Sequence, residues 1–540
     1  MVEESADMPV IHLEFRDLEN LTGIPAEKII ERIPMIGADI ERIGDDFADV
    51  EFFPNRPDMY SVEGVARAMK GFFGIEKGAP KYSVSPSEIE LRVDPSVKSV
   101  RPLIVSAVIR DVRMSDELIE SLMHLQEHLH WGLGRNRRKV SIGIHDLSKV
   151  KPPFTYTTVD EEFSFVPLDF DEEMSIREIL ERHPKGRAFS FILEGFDRFP
   201  VILDRDGNVL SFPPIINGEL TRVTEKTKEL FIDVTGTEKT VSTALNIIVT
   251  ALAERGFRVQ SVRIFDGGEI ITTPDLAERS MEVSLSEIRE LIGVPLSPEE
   301  CIEALLRMRY DAEISGEKIK VKIPAYRADI MHPWDIIEDV AIGYGYDRIP
   351  SIFPEIPSIS SEHEVERMNN RVRELMIGLG FTEVMTFTLT SERIHFDMMR
   401  RKGSALKIAN PASEEQRIFR SSILPMLLEA LSMNRHYPMP HRIFEVGDVI
   451  VNERRRNHVA GVSMHANADF SEIKAVVLSF LREMGYKAEI FETEDPAFIE
   501  GRVAELKGDV SGVFGEIHPE VLLNFDLDHP VSAFEIELPY

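Results

Sequence analysis

Apolar residues along this chain repeat with two periods, and the switches between them mark out its elements. A spacing of three and four residues brings Leu118, Ile119, Leu122, Leu125 and Leu129 onto one face of a helix in SDELIESLMHLQEHLHWGL. Apolar runs of helical length predict further helices in TVSTALNIIVTALAERG, RMNNRVRELMIGLG and ILPMLLEALSMNRH. Runs rich in branched and aromatic residues predict strands in LIVSAVIRDV, AFSFILEG, TEVMTFTLT and FPVILDRDGNVLSFPPIING, with DGN as a hairpin turn. HRIFEVGDVIV and HVAGVSMHA read as the two arms of another hairpin.

One arrangement occurs twice. LTGIPAEKIIERIPMIGADIE, from Leu21 to Glu41, leads through VEFF into PNRPDMYSVEGVARAMKGFFG. LIGVPLSPEECIEALLRMRYDAEI, from Leu291 to Ile314, leads through IKVKI into PAYRADIMHPWDIIEDVAIGYG. Both begin L-x-G-[IV]-P, and Pro25 and Pro295 stand where a helix starts without losing a needed N–H. Each continues through a strand to Arg-x-Asp and a helix carrying Val-Ala, which predicts a winged-helix-like module used twice. The expected fold is α/β multidomain (α+β) in four parts. Winged-helix-like modules occupy 1–85 and 275–352, a β-rich domain 90–268, and an antiparallel-sheet domain 361–540, with SISSEHEVE as linker.

Composition narrows the functional classes. The chain has 540 residues, 43% of them hydrophobic, enough for several cores. No apolar run reaches the ~18 residues a membrane span needs, and MVEESADMP is acidic, unlike a signal peptide, so a cytoplasmic location is expected. The single cysteine, Cys301, excludes an intramolecular disulfide and a multi-cysteine zinc site. A net charge of −31 restricts any nucleic-acid contact to local patches. Two basic runs stand out: Arg135, Arg137, Arg138 and Lys139 in RNRRK, and Arg454 to Arg456 in RRR. Solvated loops account for both equally well, the second as a polar hairpin tip.

The candidate chemistry lies in two clusters. Asp335, Glu338 and Asp339 are spaced i, i+3 and i+4 on one helix face, with Asp329 approaching from the preceding loop. Crowded carboxylates invite a hard cation; an acidic first turn favoured by the helix dipole is the alternative. The first repeat copy keeps Arg56, Asp58 and Glu63 but lacks the paired acids. His124, Glu127 and His128 match H-x-x-E-H, a zinc-protease pattern that an ordinary amphipathic helix also produces.

PNRPDMYSVEGVARAM, GRNRRKVSIGIHDLSK, PPIINGELT, PAYRADIMHPWDIIEDVAIGYGYDRIP, NPASEEQRIFRSSILPMLLEALSMN, RIFEVGDV and GEIHPEVL occur in this order. Together they resemble the phenylalanyl-tRNA synthetase β subunit of the archaeal and eukaryotic type, over nearly the whole chain. The resemblance implies a heterotetramer of two α and two β subunits, with tRNA(Phe) as partner and ATP used at the α-subunit site. It implies Mg²⁺ at Asp329, Asp335, Glu338 and Asp339, shared with the α subunit. It further implies that the central domain hydrolyses mischarged Tyr-tRNA(Phe). Ser211, Asn217, Thr221, Asp233 and Thr235 are the candidates for that editing site, with Asp233 accepting the tyrosine hydroxyl and His145 a lesser candidate. Such residues also build turns and caps, so a tRNA-binding scaffold without hydrolysis is the alternative. The last domain resembles a class II synthetase fold without its ATP grip. Arg442 and Glu445 are three apart, hence on opposite strand faces, and SGVFGEIHPEVL holds no arginine.

Overall fold

Each copy of the repeat folds as a strand, two helices, a hairpin and a closing helix. In the first, strand Val10–Glu14 precedes helices Phe15–Thr22 and Ala26–Arg32, strands Ala38–Ile43 and Phe47–Phe52, and helix Val62–Phe72. In the second, strand Arg279–Ser284 precedes helices Leu285–Ile292 and Pro298–Arg307, strands Asp311–Ser315 and Lys318–Ile323, and helix Pro333–Tyr344. Both three-stranded sheets place the last strand between the other two. The computed structural model describes residues 9–353 and 359–539. They belong to two units, Met1–Ile352 and Phe353–Tyr540. The first eight residues of the expected 1–85 module and Ser358 of the linker lie outside the described residues.

The two copies pack against each other within the first unit. Arg307 donates through Nε to the Phe72 carbonyl at 2.9 Å and through Nη1 to the Gly343 carbonyl at 3.0 Å. Gly71 lies against the Arg307 carbonyl and the Arg309 side chain, so only a residue without a Cβ lets the helices approach this closely. Cys301 is fully buried in this core, and burial pushes its thiol up to about 11, so it packs rather than reacts.

Between the copies in sequence lies a mixed ten-stranded sheet. Its order runs Ile216–Asn217, Val209–Phe212, Phe199–Leu203, Phe154–Val159, Val84–Val93, Arg258–Asp266, Leu103–Arg110, Leu230–Gly236, Val140–Asp146. Glu269–Thr273 adds to Arg258–Asp266. Leu230, Ile232 and Val234 join the large core that includes helix Thr240–Glu254, and Phe231 turns to a second core. Alternation thus puts Asp233 and Thr235 on the face of Phe231. Val140–Asp146 is an edge strand, yet all seven of its residues are buried.

The second unit is built on a seven-stranded sheet. Its order is Thr382–Glu383, His441–Val451, Arg454–Met464, Val531–Leu538, Ser511–Ile517, Phe498–Gly508, Ala488–Glu492. Only the first pair is parallel. Val531 and Ala533 contribute to one core and Phe534, Ile536 and Leu538 to another, so the sheet is buried on both faces.

Four sequence readings need correction. Pro295 does not start a helix: helix Pro298–Arg307 begins three residues later, capped by Ser297. AFSFILEG is not a strand: Pro184–Phe189 is helical and Ser190–Ile192 is a 3₁₀ turn. Pro184 sits in the first helical turn, where it favours a helix, and Gly186 lets that helix lie against the Ile179 carbonyl. TEVMTFTLT is a strand only at its ends, Thr382–Glu383 and Leu389–Thr390, and Met385 and Phe387 between them are exposed. The RRR run is not the hairpin tip. Asn452 and Glu453 make the tip, both with positive φ as a type I′ turn requires, and Arg454 to Arg456 begin the return strand.

Candidate functional site

The fully buried edge strand Val140–Asp146 has its outward backbone groups covered by side chains. The Ile142 N–H donates to His130 Nε2 at 2.8 Å, and the Ile142 carbonyl accepts from Gln126 at 3.1 Å. Asn217 donates to the Ile144 carbonyl at 3.4 Å, and Ser211 donates to Asn217 at 3.3 Å. Helix Asp116–Trp131 and the Val209–Asn217 hairpin therefore face one another across this edge, enclosing a cavity of about 280 Å³. Ile119, Leu122, Ile142, Ile144 and Pro214 give it apolar walls, while Ser211, Asn217 and Thr221 bring polar groups in from the hairpin side.

Behind Thr221 stands a buried relay. His145 Nδ1 lies 2.8 Å from Thr221 Oγ1, and His145 Nε2 lies 2.7 Å from Asp233 Oδ1. His145 is 0% exposed and Asp233 1%. Beside an ionised Asp233, which only accepts, a neutral His145 ring carries its proton on Nε2 and accepts from the Thr221 hydroxyl at Nδ1. The alternative acceptor for that hydroxyl is the Gly218 carbonyl at 3.1 Å. Gly143 stands opposite Asp233 on the neighbouring strand. A Cβ there would lie 2.7 Å from His145 Nε2 and closer still to Asp233 Oδ1, so the pair exists because residue 143 has no side chain.

The five sequence candidates thus separate. Ser211, Asn217 and Thr221 line the cavity; Asp233 supports Thr221 from behind through His145. Thr235 faces elsewhere, accepting from Arg101 Nε at 3.0 Å, and the burial of Arg101 holds its guanidinium down at about 10.

Sequence reading passed over the opposite wall. Arg137 is buried, reaches the Ile215 carbonyl at 2.9 Å and Glu127 at 2.7 Å, and stacks 4.4 Å over Phe189. Lys185 also binds Glu127, at 2.9 Å. Burial raises the Glu127 carboxyl, but His130, Arg137 and Lys185 outweigh it and hold the group below its usual range. Glu127 is therefore an ion-pair anchor rather than the free base that H-x-x-E-H zinc chemistry requires. The signal in the sequence was RNRRK itself, whose third member turns inward. Arg135, Asn136 and Arg137 have φ of 46°, 53° and 64°. Left-handed conformations cost roughly 1–2 kcal/mol for each such residue. The Arg137 bonds and Lys139 N–H to the Gly134 carbonyl at 2.8 Å hold this run in place.

The acidic helix start is organised around Arg327. Its guanidinium grips Asp329 at 2.8 and 2.5 Å and Asp339 at 2.6 Å, and Tyr310 also donates to Asp339. Arg56 holds Asp58 in the same two-pronged way in the first copy, at 2.8 and 3.0 Å. Asp335 accepts from the Met331 and His332 N–H groups, both at 2.7 Å, as part of a capping box. Glu338 is exposed and makes no side-chain hydrogen bond among the described residues; burial first, then Asp339, Asp335 and Asp329, push its carboxyl up. Among the described residues, the one group of three acids with ligand oxygens within 4.8 Å of one another is Asp39, Glu41 and Glu51, so the predicted quartet does not converge as a four-carboxylate cage. Two of its members balance Arg327. Glu338 and the uncommitted oxygen of Asp335 fit the one or two carboxylates that Mg²⁺ takes beside its waters.

Arg442 and Glu445 in the second unit are also occupied. Arg442 bonds Glu472 at 2.9 Å, while Glu445 is buried against Arg420 at 2.6 Å and Thr386.

Comparison with known proteins finds relatives along nearly the whole chain. Family models match at residues 117–263 (B3/4 domain), 281–346 (tRNA synthetase B5 domain) and 349–538 (phenylalanyl tRNA synthetase beta chain CLM domain). A phenylalanine--tRNA ligase beta subunit from Methanothrix thermoacetophila is 54% identical over 537 residues, covering 98% of this chain and 100% of the relative. One from Archaeoglobus fulgidus is 53% identical, covering 98% of each. The crystal structure of an N-terminal fragment of the phenylalanyl-tRNA synthetase beta subunit from Pyrococcus horikoshii aligns with a TM-score of 0.61 at 42% identity. It covers 63% of this chain and all of the fragment. Among the described residues, no helix is long and apolar enough to cross a membrane.

Proposed function

The chain belongs to the phenylalanine--tRNA ligase beta subunit family, and on that premise we propose that its central cavity hydrolyses the ester of mischarged Tyr-tRNA(Phe). The need for a second site is physical. An apolar pocket shaped for phenylalanine discriminates against an isostere with one added hydroxyl by only about a hundredfold. The observation that carries the reading is the apolar cavity into which Ser211, Asn217 and Thr221 converge, with His145 and Asp233 fixing Thr221 from behind.

In this reading Thr221 orients the attacking water, and the buried pair sets the direction of its hydroxyl. Ser211 and Asn217 supply hydrogen bonds to the bound aminoacyl group. Asp233 then acts through His145 rather than on the tyrosine hydroxyl, because it lies behind the cavity lining with its Oδ1 bonded to His145. The two repeat modules act as winged-helix-like scaffold. ATP-dependent attachment of phenylalanine takes place at the α-subunit site, in a cytoplasmic assembly of two α and two β subunits acting on tRNA(Phe). Glu338 and Asp335 would hold Mg²⁺, which would supply a positive charge for the subunit boundary, with Arg327 keeping Asp329 and Asp339 in place.

Co-purification with an α subunit, followed by deacylation of Tyr-tRNA(Phe), tests the proposal. Asn217→Ala and Thr221→Val should each slow hydrolysis at least tenfold with aminoacylation retained. Full hydrolysis in both variants would refute the site, leaving a binding scaffold without editing as the alternative.

A further inference from the structure

Next to the cavity lies a second concavity with different chemistry. Trp131, Arg135, Asn136, Arg138, Lys139 and Phe191 line a groove of about 480 Å³. Phe191 is 43% exposed, an uncommon position for phenylalanine, and the Arg138 guanidinium stacks 4.9 Å from its ring centroid. Lys139 is neutralised by Glu238 at 2.6 Å, whereas Arg135 and Arg138 have no carboxylate partner among the described residues. Two unneutralised guanidiniums in one groove stand out in a chain of net charge −31.

The left-handed turn explains how these groups come together. Arg137 points inward to the cavity wall, and the reversal sends its neighbours Arg135, Asn136 and Arg138 outward. The same helix serves both places: Glu127 lines the cavity and Trp131 the groove. Four residues of helix separate them by about 6 Å, roughly one nucleotide step.

We infer that this groove receives the single-stranded 3′ end of an RNA, holding the nucleotides that precede the one in the cavity. Phosphates meet Arg135 and Arg138, and a base stacks on Trp131 or Phe191. Stacking of this kind changes affinity by about 5- to 150-fold per base. The inference rests on the hydrolytic reading for its direction, since an aminoacyl ester in the cavity brings its own RNA tail to the groove.

The test is binding of a fluorescent six-nucleotide RNA ending in CCA to the full-length chain in its native complex, which requires no hydrolysis. Trp131→Ala should weaken binding at least fivefold. Arg135→Ala with Arg138→Ala should weaken it and reduce the slope of log affinity against log salt by about 1.4, two phosphates at about 0.7 each. Phe191→Ala serves as a second aromatic variant should Trp131→Ala lower the unfolding midpoint. Unchanged binding in all variants overturns the inference. So does sensitivity to the arginines alone with equal competition by polyphosphate, which marks a general anion patch. Retained, variant-sensitive RNA binding in a complex that hydrolyses no mischarged tRNA would support the groove while refuting hydrolysis.

Discussion

Replacing Gly143 by alanine tests the relay without touching any of its members. The added Cβ would lie 2.7 Å from His145 Nε2 and nearer to Asp233 Oδ1, so the two side chains must part by several tenths of an ångström or more. Both are buried, so the shift must be taken up by the packing around them. The bond at 2.7 Å between them is charge-assisted, a class worth about 1.5–3 kcal/mol. Relief of glycine's backbone entropy returns about 0.4–1 kcal/mol, so the net destabilisation should be about 1–2 kcal/mol in urea unfolding. If the same bond orients Thr221 in the transition state, losing 1.5–3 kcal/mol there lowers the hydrolytic rate about 10- to 150-fold. Single-turnover deacylation of Tyr-tRNA(Phe) measures this, with aminoacylation by the same complex as the control for folding. Undiminished hydrolysis in Gly143→Ala would refute the relay. Parallel loss of both activities would show that only folding had been damaged.

Other consequences follow from buried charge. Arg327→Met strands Asp329 and buried Asp339 without their cation, and the first unit should lose about 3–5 kcal/mol in chemical denaturation. A loss below 1 kcal/mol would show that Arg327 does not neutralise this pair. Glu535 is buried, which raises its pKa, but His458, Ser422 and the Ile423 N–H outweigh this and hold it at about 2. A depressed carboxylate contributes stability that is present above its unfolded pKa, near 4.5, and lost as pH falls towards 2. The contribution is about 3 kcal/mol, and Glu535→Gln should flatten stability against pH in that window. Glu338 shows the opposite sign, because its raised pKa means that ionisation opposes folding as pH rises above the unfolded value. Mg²⁺ should raise the unfolding temperature near neutral pH and EDTA should reverse this, with both responses absent in Glu338→Gln.

The repeat was legible because the features that define it are local. Pro25 caps the helix that follows it and Pro298, rather than Pro295, opens its counterpart, while glycines close the preceding helices, with Gly23 and Gly293 at φ of 70° and 75°. The opening strands Val10–Glu14 and Arg279–Ser284 were not legible, being short and paired only through distant partners. AFSFILEG misled because a short apolar run carries no period, and the packing of Gly186 decided for helix. The editing candidates were legible as a crowd of polar residues, but the sequence could not say what each would meet. Thr235 meets Arg101, 134 residues away in the chain, and Thr221 meets His145, 76 away. Arg137 was visible as charge but not as a cavity wall, since its inward turn depends on backbone geometry that RNRRK does not announce.

A cavity that edits must distinguish, and hydrolyse, the wrong amino acid on the right tRNA. The direct measurement is the rate at which the intact complex deacylates preformed Tyr-tRNA(Phe) and Phe-tRNA(Phe) under identical conditions. The tyrosyl ester should be cleared at least ten times faster than the phenylalanyl ester, and Thr221→Val should remove the difference. Hydrolysis of both esters at the spontaneous rate by the unmodified complex would contradict editing at this cavity.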